Sequence, residues 1–346
     1  VDTLTHALSG ALLARAAAPR ARASAALTPR QRLTAGFVGG LFPDIDFAAR
    51  AGGTLWYLAE IHQGPTHSLV LLPLWALALA WLFQRVSGVP WRAWYAPVAL
   101  GLGIHVAGDL VTAYGTMLFW PLSGWRPALG WTFVIDPYFT LIVVAGLAAA
   151  QRWPRRGAAL AALALAALAG YAAFQGALHQ RAMLLAEIRG QRLAGATAHA
   201  LPQPFSPLHW QLIVRHGDEW HVGHARLAAG RSLVERMPVV PLFARMASRY
   251  RAAPEWTVET RFGASAADIA LAQEAWRSDA LGYFRRFAAF PALRGVAAGG
   301  TRECAWFQDL RFALPELPPS FVFGACRAGE SSTWTLERRR GALWID

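Results

Sequence analysis

The sequence predicts a polytopic α-helical membrane domain of about six helices over residues 1–179, followed by a small extracytoplasmic α+β domain over residues 180–346. Composition is the first observation behind this: 55% of the chain is hydrophobic and only 16% charged, too apolar for an ordinary soluble domain. The second is distribution. Long apolar runs, Ser68–Phe83, Trp94–Ala113, Trp131–Ala150 and Gly157–Leu178, end near His179, and each approaches the roughly 20 residues that a bilayer-spanning helix needs. The third is a change of texture after His179, where apolar and polar residues begin to alternate.

Two shorter helices are expected before these runs, Thr3–Ala17 and Leu33–Phe42, joined by a Pro- and Arg-containing loop over Pro19–Arg32. Counting Leu33–Phe42 as the start of a span gives six. Ten arginines lie in one alternate set of connections: Arg15, Arg20, Arg22, Arg30, Arg32, Arg85, Arg92, Arg152, Arg155 and Arg156. The other set holds only Arg50 and Arg126, so the positive-inside rule puts both termini and the second domain outside the cytoplasm.

In the second domain, LHWQLIVRHGDEWHVGHARL alternates on both sides of His216-Gly217-Asp218-Glu219 and reads as a β-hairpin. WTVETRF from Trp256, CAWFQDLRF from Cys304 and STWTLER from Ser332 read as further strands. Ser265 with Asp268 three residues on resembles a capping box, opening a helix that carries Ile269, Trp276 and Phe284. Cys304 and Cys326 are the only cysteines, so a thiolate metal site in the first domain is excluded. In an oxidising compartment they can pair; elsewhere they read as two buried thiols.

The net charge of +12 is dispersed, with no nucleic-acid motif, and excludes a nucleic-acid partner as the reading of that charge. All 33 basic residues are Arg, which with the abundance of Ala reads as coding bias.

Chemistry is concentrated in few residues. The first 179 contain six acids, Asp2, Asp44, Asp46, Glu60, Asp109 and Asp136, and under the expected topology all fall near the outer helix ends, beside His6, His62 and His67. His105 and Asp109, at i and i+4, share one helix face, and an ionisable pair in an apolar helix asks for a function and a partner. Pro43 ends the preceding helix and lets Asp44 and Asp46 turn inward from a short extended piece, while Gly64-Pro65 bends the chain between His62 and His67. Imidazoles and carboxylates without thiolate suit a divalent metal, zinc first, with manganese or iron as alternatives, and the set is large enough for one or two ions. Singly these residues have plainer readings: His105–Asp109 as an ion pair, His62 as a solvated loop residue, Asp136 before Pro137 as a helix cap. His179, His199, His209, His216, His221 and His224 have no matching cluster of acids and read as ordinary domain residues, with metal binding by His221 and His224 as the lesser alternative.

DTLTHALSG at the start, PDID at Pro43–Asp46, HQGPTHS at His62–Ser68, H-x-x-x-D at His105–Asp109 and GTMLFWP at Gly115–Pro121 resemble the YdjM-like, LexA-regulated membrane-bound metal-dependent hydrolases, over about the first 140 residues. The resemblance implies a multi-pass inner-membrane protein with hydrolase activity and an extracytoplasmic extension. It departs at Gln63 and Pro65, where such proteins have Arg and a bulky residue, removing a guanidinium suited to an anionic substrate.

The expectation is therefore a metal-dependent hydrolase in which metal-activated water attacks an ester or phosphoester of a lipid-like or membrane-proximal substrate. His6, Asp44, Asp46, His67, His105 and Asp109 are the expected ligands, His62 and Asp136 further ligands or their supports, and Glu60 or Asp136 the proton-transfer carboxylate. The alternative is a non-catalytic, metal-stabilised membrane scaffold or stress protein whose outer domain binds a partner. A transporter ranks last, because the inner halves of the helices lack acids and histidines.

Overall fold

The computed structural model describes residues 2–18, 27–228, 241–298, 301–329 and 333–338. It divides into two compact units, Val1–Leu178 and His179–Asp346. The expected loop at Pro19–Arg32 lies largely outside the described residues, which resume at 27.

In the first unit α1 (Thr3–Ala16) starts where the Asp2 carboxylate accepts from the Thr5 N–H, and α2 (Pro29–Leu41) starts in a full capping box of Thr28 and Gln31, with Pro29 at its first turn. α3 (Leu72–Ser87) stops at Gly88, whose left-handed conformation closes the helix. α4 (Trp91–Leu110), α5 (Pro137–Arg152) and α6 (Gly157–Gly190) complete the set, the last turns of α6 falling in the second unit. Two apolar clusters hold these helices: Leu12, Val143, Leu147, Ala164 and Leu168 join α1, α5 and α6, while Ala35, Leu79, Trp94, Val98 and Leu102 join α2, α3 and α4.

Six spans are not what forms. Among the described residues one helix, Pro154–Gly190, is long and apolar enough to cross a membrane, and a second crossing exists only if Thr54–His67 and Leu72–Ser87, bent by 69°, count as one span. The apolar runs overstate the helices they contain. Trp131–Ala150 is helical only from Pro137, because Asp136 caps there, and Ser68–Phe83 only from Leu72. α1 and α2, with 14 and 13 residues, reach about 20 Å against a hydrocarbon core of about 30 Å. α4 has 20 residues but dilutes its hydropathy with Arg92, Pro97, His105, Asp109 and three glycines. The orientation argument from arginines loses its basis with the six spans. Arg126, moreover, is committed elsewhere: its guanidinium donates to the carbonyls of Ala59, His62 and Gly115.

Between α2 and α3 the chain is irregular in a way that serves the site. Pro43 ends α2 at Leu41, but Phe42–Gly52 then winds as a 3-10 helix rather than an extended piece, since proline in a first turn needs no N–H partner. A helical turn at Thr54–Trp56 passes into a π-helical stretch, Tyr57–Ile61, a widened geometry that recurs at functional sites.

The second unit holds two four-stranded antiparallel sheets, ordered β1-β2-β3-β4 and β5-β6-β7-β8. The first comprises β1 (Thr197–Pro202), β2 (His209–His216), β3 (Glu219–Arg226) and β4 (Trp256–Thr260). The second comprises β5 (Pro291–Ala297), β6 (Arg302–Asp309), β7 (Phe323–Ala328) and β8 (Thr335–Arg338). β2 and β3 are the expected hairpin, closed by Gly217-Asp218 with His216 opposite Glu219 and Gly217 at φ 61°. Ile213, Trp220, Val222, Phe290, Ala292 and Leu310 form a core shared by the two sheets.

Of the helices, α7 is Pro241–Ser248, α8 is Ala266–Arg277 and α9 is Gly282–Phe287. Ser265 caps α8 as expected, its side chain accepting from the Asp268 N–H. Phe284 does not belong to that helix: Ser278 interrupts it, and Phe284 is buried from α9. Cys304 and Cys326, opposite each other on β6 and β7, are joined in a disulfide.

Candidate metal centre

The centre is built on a seam of glycines. A Cβ on Gly10 of α1 would lie 2.1 Å from the Gly36 carbonyl oxygen of α2, and one on Gly101 of α4 would lie 2.4 Å from that same oxygen. Gly40 meets the His6 carbonyl in the same way, at 2.5 Å. Only glycine permits these approaches, and close backbone contact through small residues is how apolar helices pack where no hydrophobic driving force brings them together. Because of it, His6 on α1, the Gly40 carbonyl at the end of α2 and His105 with Asp109 on α4 meet at one point.

There His105 is fixed first. Its Nδ1 lies 2.6 Å from the Gly40 carbonyl oxygen. A carbonyl can only accept, so Nδ1 carries the proton and Nε2 of the neutral ring presents a lone pair. His67, delivered by the 3-10 turn Pro65–His67, places its Nε2 3.1 Å from that nitrogen. Asp109 Oδ2 is 3.2 Å from His67 Nε2 and 3.3 Å from His105 Nε2, and Asp44 Oδ1 is 3.9 and 3.6 Å from the same two atoms. A tetrahedral ion with ligands at about 2.1 Å has ligand–ligand edges of roughly 3.4 Å. Five of the six edges among these two imidazole and two carboxylate donors run from 3.1 to 3.9 Å, around that value, and donors of these types suit a divalent cation.

Two overlapping donor trios describe the same place: Asp44, His67 and His105, and His6, His105 and Asp109. In the second, His6 Nε2 lies 2.9 Å from Asp109 Oδ1, and its ring stacks on His105 with centroids 3.8 Å apart. Asp109 thus turns Oδ1 to His6 and faces the pair of Nε2 atoms with Oδ2. His6, His67, His105 and Asp109 are buried, whereas the Asp44 side chain is 19% exposed, so the centre opens on the Asp44 side. Ile45 and Phe47, neighbours of Asp44 on the same 3-10 helix, are apolar and 60% and 58% exposed.

The YdjM inner membrane protein family model matches residues 1–182, more than half of the chain. The chain belongs to the YdjM family. No curated protein and no solved structure matches it.

The remaining candidates sit apart from the donor trios of this YdjM-family site. Asp46 accepts from the Tyr57 hydroxyl (3.1 Å) and the Gln63 N–H (3.0 Å), lies 3.3 Å from His62 Nδ1, and faces His67 Nδ1 at 3.7 Å. Burial by itself would raise its pKa, but His62, His67 and the Gln63 N–H outweigh that and hold it below the ordinary carboxylate range. Glu60 is half-buried on the π-helical stretch and belongs to neither trio. Asp136 caps α5 through the N–H groups of Tyr138 and Phe139, and its other oxygen accepts from Tyr171.

Gln63 is buried at φ 55°, and its side-chain oxygen accepts from Thr116 while its carbonyl accepts from Met117. Position 63 therefore faces the GTMLFWP loop, which backs the His62–His67 bend, and not an incoming anion. A non-glycine residue at positive φ beside a site is strain held for a purpose, here to aim its N–H at Asp46.

A third group, His216, Glu219 and His221, lies at the hairpin end of β2 and β3. Arg189 reaches His221 Nδ1 at 3.3 Å, and a guanidinium in that position competes with a cation.

Tyr57, the Gly40 carbonyl and Arg126 were not singled out by sequence. Only Tyr57 carries a signal there, a phenol five residues before His62; a backbone acceptor carries none.

Proposed function

We propose that the first unit is a metal-dependent hydrolase that holds a divalent cation, zinc by preference, on Asp44, His67, His105 and Asp109, with His6 fixing Asp109 from behind. The observation that carries this is the meeting of His67 Nε2, His105 Nε2 and Asp109 Oδ2 within 3.3 Å of one another, in buried surroundings with one tautomer set by Gly40. Gathering these groups is costly without a cation to share them.

A cation in such a set lowers the pKa of bound water and polarises an ester or phosphoryl oxygen. The protein's own contributions are distinct from that. Gly40 orients His105, His6 orients Asp109, and Asp44 stands at the entrance where substrate arrives. Exposed Ile45 and Phe47 beside Asp44 favour an amphiphile, a lipid-like ester or phosphoester, whose apolar part rests there while its polar linkage reaches the donors.

The second unit is proposed to lie outside the cytoplasm. Support comes from the Cys304–Cys326 disulfide, a bond that persists in oxidising compartments and is rare in the cytosol.

Elemental analysis of purified protein, followed by a screen of lipid and phosphoester substrates with and without chelator, tests the function. Expected is stoichiometric metal and turnover abolished by chelator and restored by one metal. Metal without turnover on any substrate supports the scaffold alternative; absence of metal at saturating zinc refutes the centre. Alkylation of thiols in intact cells before and after reductant tests the location: both cysteines should be blocked until reduced.

A further inference from the structure

The Asp46 cluster beside the metal donors has a chemistry of its own. Tyr57 donates its one hydroxyl proton to Asp46 Oδ1 at 3.1 Å. The 2.7 Å contact between the Tyr57 oxygen and His62 Nδ1 must then be donated by the imidazole, so His62 carries its proton on Nδ1. That N–H also faces both oxygens of Asp46 at 3.3 Å. With Nδ1 satisfied on one side of the ring, Nε2 on the other bears a lone pair, and among the described residues no hydrogen bond reaches it. The His62 side chain is 22% exposed, unlike the buried rings of His6, His67 and His105. Its ring lies 6.3 Å from that of His67, edge to face, and no donor trio includes it. The loop that carries it is stapled by Arg126 to three carbonyls and keeps its bend through Gln63 at positive φ.

A carboxylate behind one imidazole nitrogen, with the opposite nitrogen left as an exposed base, is the arrangement by which a histidine is oriented for proton transfer. We infer that His62 is the proton-transfer base of the centre, not a metal ligand, and that Asp46 and Tyr57 are its positioning residues. The inference rests on the hydrolase reading above and assigns the role that sequence had given to Glu60 or Asp136. In a phosphoester cleavage, His62 Nε2 takes a proton from the attacking water as its oxygen bonds to phosphorus. The ester P–O bond breaks, and His62 returns the same proton to the departing alkoxide, so that ester and water become alcohol and phosphate with the base regenerated. Nucleophile and leaving group are both served at the exposed edge of the site, where Ile45 and Phe47 would seat an amphiphile.

Three measurements on the full chain in detergent test this: zinc binding by calorimetry, turnover of bis(p-nitrophenyl) phosphate, and carbethoxylation by diethyl pyrocarbonate mapped by mass spectrometry. His62→Gln should keep zinc at wild-type stoichiometry and within about threefold of wild-type affinity, while turnover falls by roughly 100-fold or more, the usual weight of a general base. His62 should be carbethoxylated at the same rate with and without zinc, since a base outside the coordination set is not shielded. Tyr57→Phe and Asp46→Asn should slow that modification and lower kcat by about tenfold with KM unchanged. Loss of zinc from His62→Gln, protection of His62 by zinc, or wild-type turnover in His62→Gln each overturns the inference while leaving the metal centre standing. Wild-type protein that binds no zinc, or binds it without turnover, instead brings down the hydrolase reading and the inference with it.

Discussion

Gly40→Ala probes whether the helix seam sets the metal centre. The added Cβ would start 2.5 Å from the His6 carbonyl oxygen, against a comfortable carbon–oxygen separation of roughly 3.3 Å, so α1 must retreat by about 0.8 Å. Such a retreat takes His6 Nε2 from 2.9 Å to about 3.7 Å from Asp109 Oδ1, past hydrogen-bond range, and disturbs the 2.6 Å contact between the Gly40 carbonyl and His105. Overpacking of this kind costs about 1–3 kcal/mol of stability, and losing the support behind a ligand typically weakens metal binding by about 10- to 100-fold. Calorimetric titration of zinc into chelator-stripped protein, with a melting curve on the same sample, reads both. Gly103→Ala is the control: it lies on the same α4 as His105, a Cβ there meets nothing, and both readings should stay at wild type or improve slightly. Wild-type zinc affinity in Gly40→Ala would refute the dependence of the centre on backbone contact.

Asp109→Asn keeps the shape of the side chain but removes the charge facing both Nε2 atoms, and is expected to fold while losing most of its metal; full occupancy by elemental analysis on monodisperse protein would return His105–Asp109 to a plain ion pair. Gln63→Arg would force a guanidinium into a buried pocket built for the Thr116 hydrogen bond, so it should lower the melting temperature and gain no affinity for phosphate; a melting point at or above wild type would contradict that placement. In the second unit, burial, with Arg226 for His209 and Arg249 for His224, pushes both pKa values down to about 4. Both histidines stay neutral when folded but take up protons below about 6.5 when unfolded, so stability present above that pH is lost as pH falls from 6.5 toward 4, by up to about 3 kcal/mol for His209. Hydrogen exchange in β2 and β3 should accelerate across that window; a flat profile would count against it. Cys304→Ser opens a disulfide whose partners are 22 residues apart and should cost about 2–4 kcal/mol, read as a lower melting temperature of that unit; an unchanged transition would show the bond to be dispensable.

Where the titratable residues were few and of distinctive type, sequence sufficed to name a group that the fold gathers at one place. His105 and Asp109 do share a face, and His6, Asp44 and His67 do converge on them. The β2–β3 hairpin was equally readable, because strict alternation and a Gly-Asp turn permit little else. The membrane count failed for a physical reason: hydropathy registers apolar residues whether or not they are helical, and Asp136, Pro137 and the bend before Leu72 shorten runs that look continuous. β1, β5 and β7 escaped notice because Thr197–Pro202, Pro291–Ala297 and Phe323–Ala328 are short, rich in Ala and Gly, and weakly alternating. The division between the group around His67 and His105 and the Asp46 cluster was invisible, since nothing in the spacing of Asp44 and Asp46 says that a 3-10 helix will send their carboxylates to different partners.

The Gly40 carbonyl that holds His105 has a bearing on how this site can change over time. An acceptor supplied by the main chain is present whatever side chain the codon specifies, so no substitution can delete it; it can only be moved, and the crowding around Gly40 resists movement. The acceptor that orients His105 is in that sense open only to substitutions that shift the main chain, as Gly40→Ala would. His62 is different, because Asp46 and Tyr57 are each one base change away from a side chain that cannot do the same job. One histidine is anchored in the part of the molecule that inheritance cannot easily edit, the other in the part that it edits freely. Descendants of this chain would be expected to keep the orientation of His105 while varying that of His62.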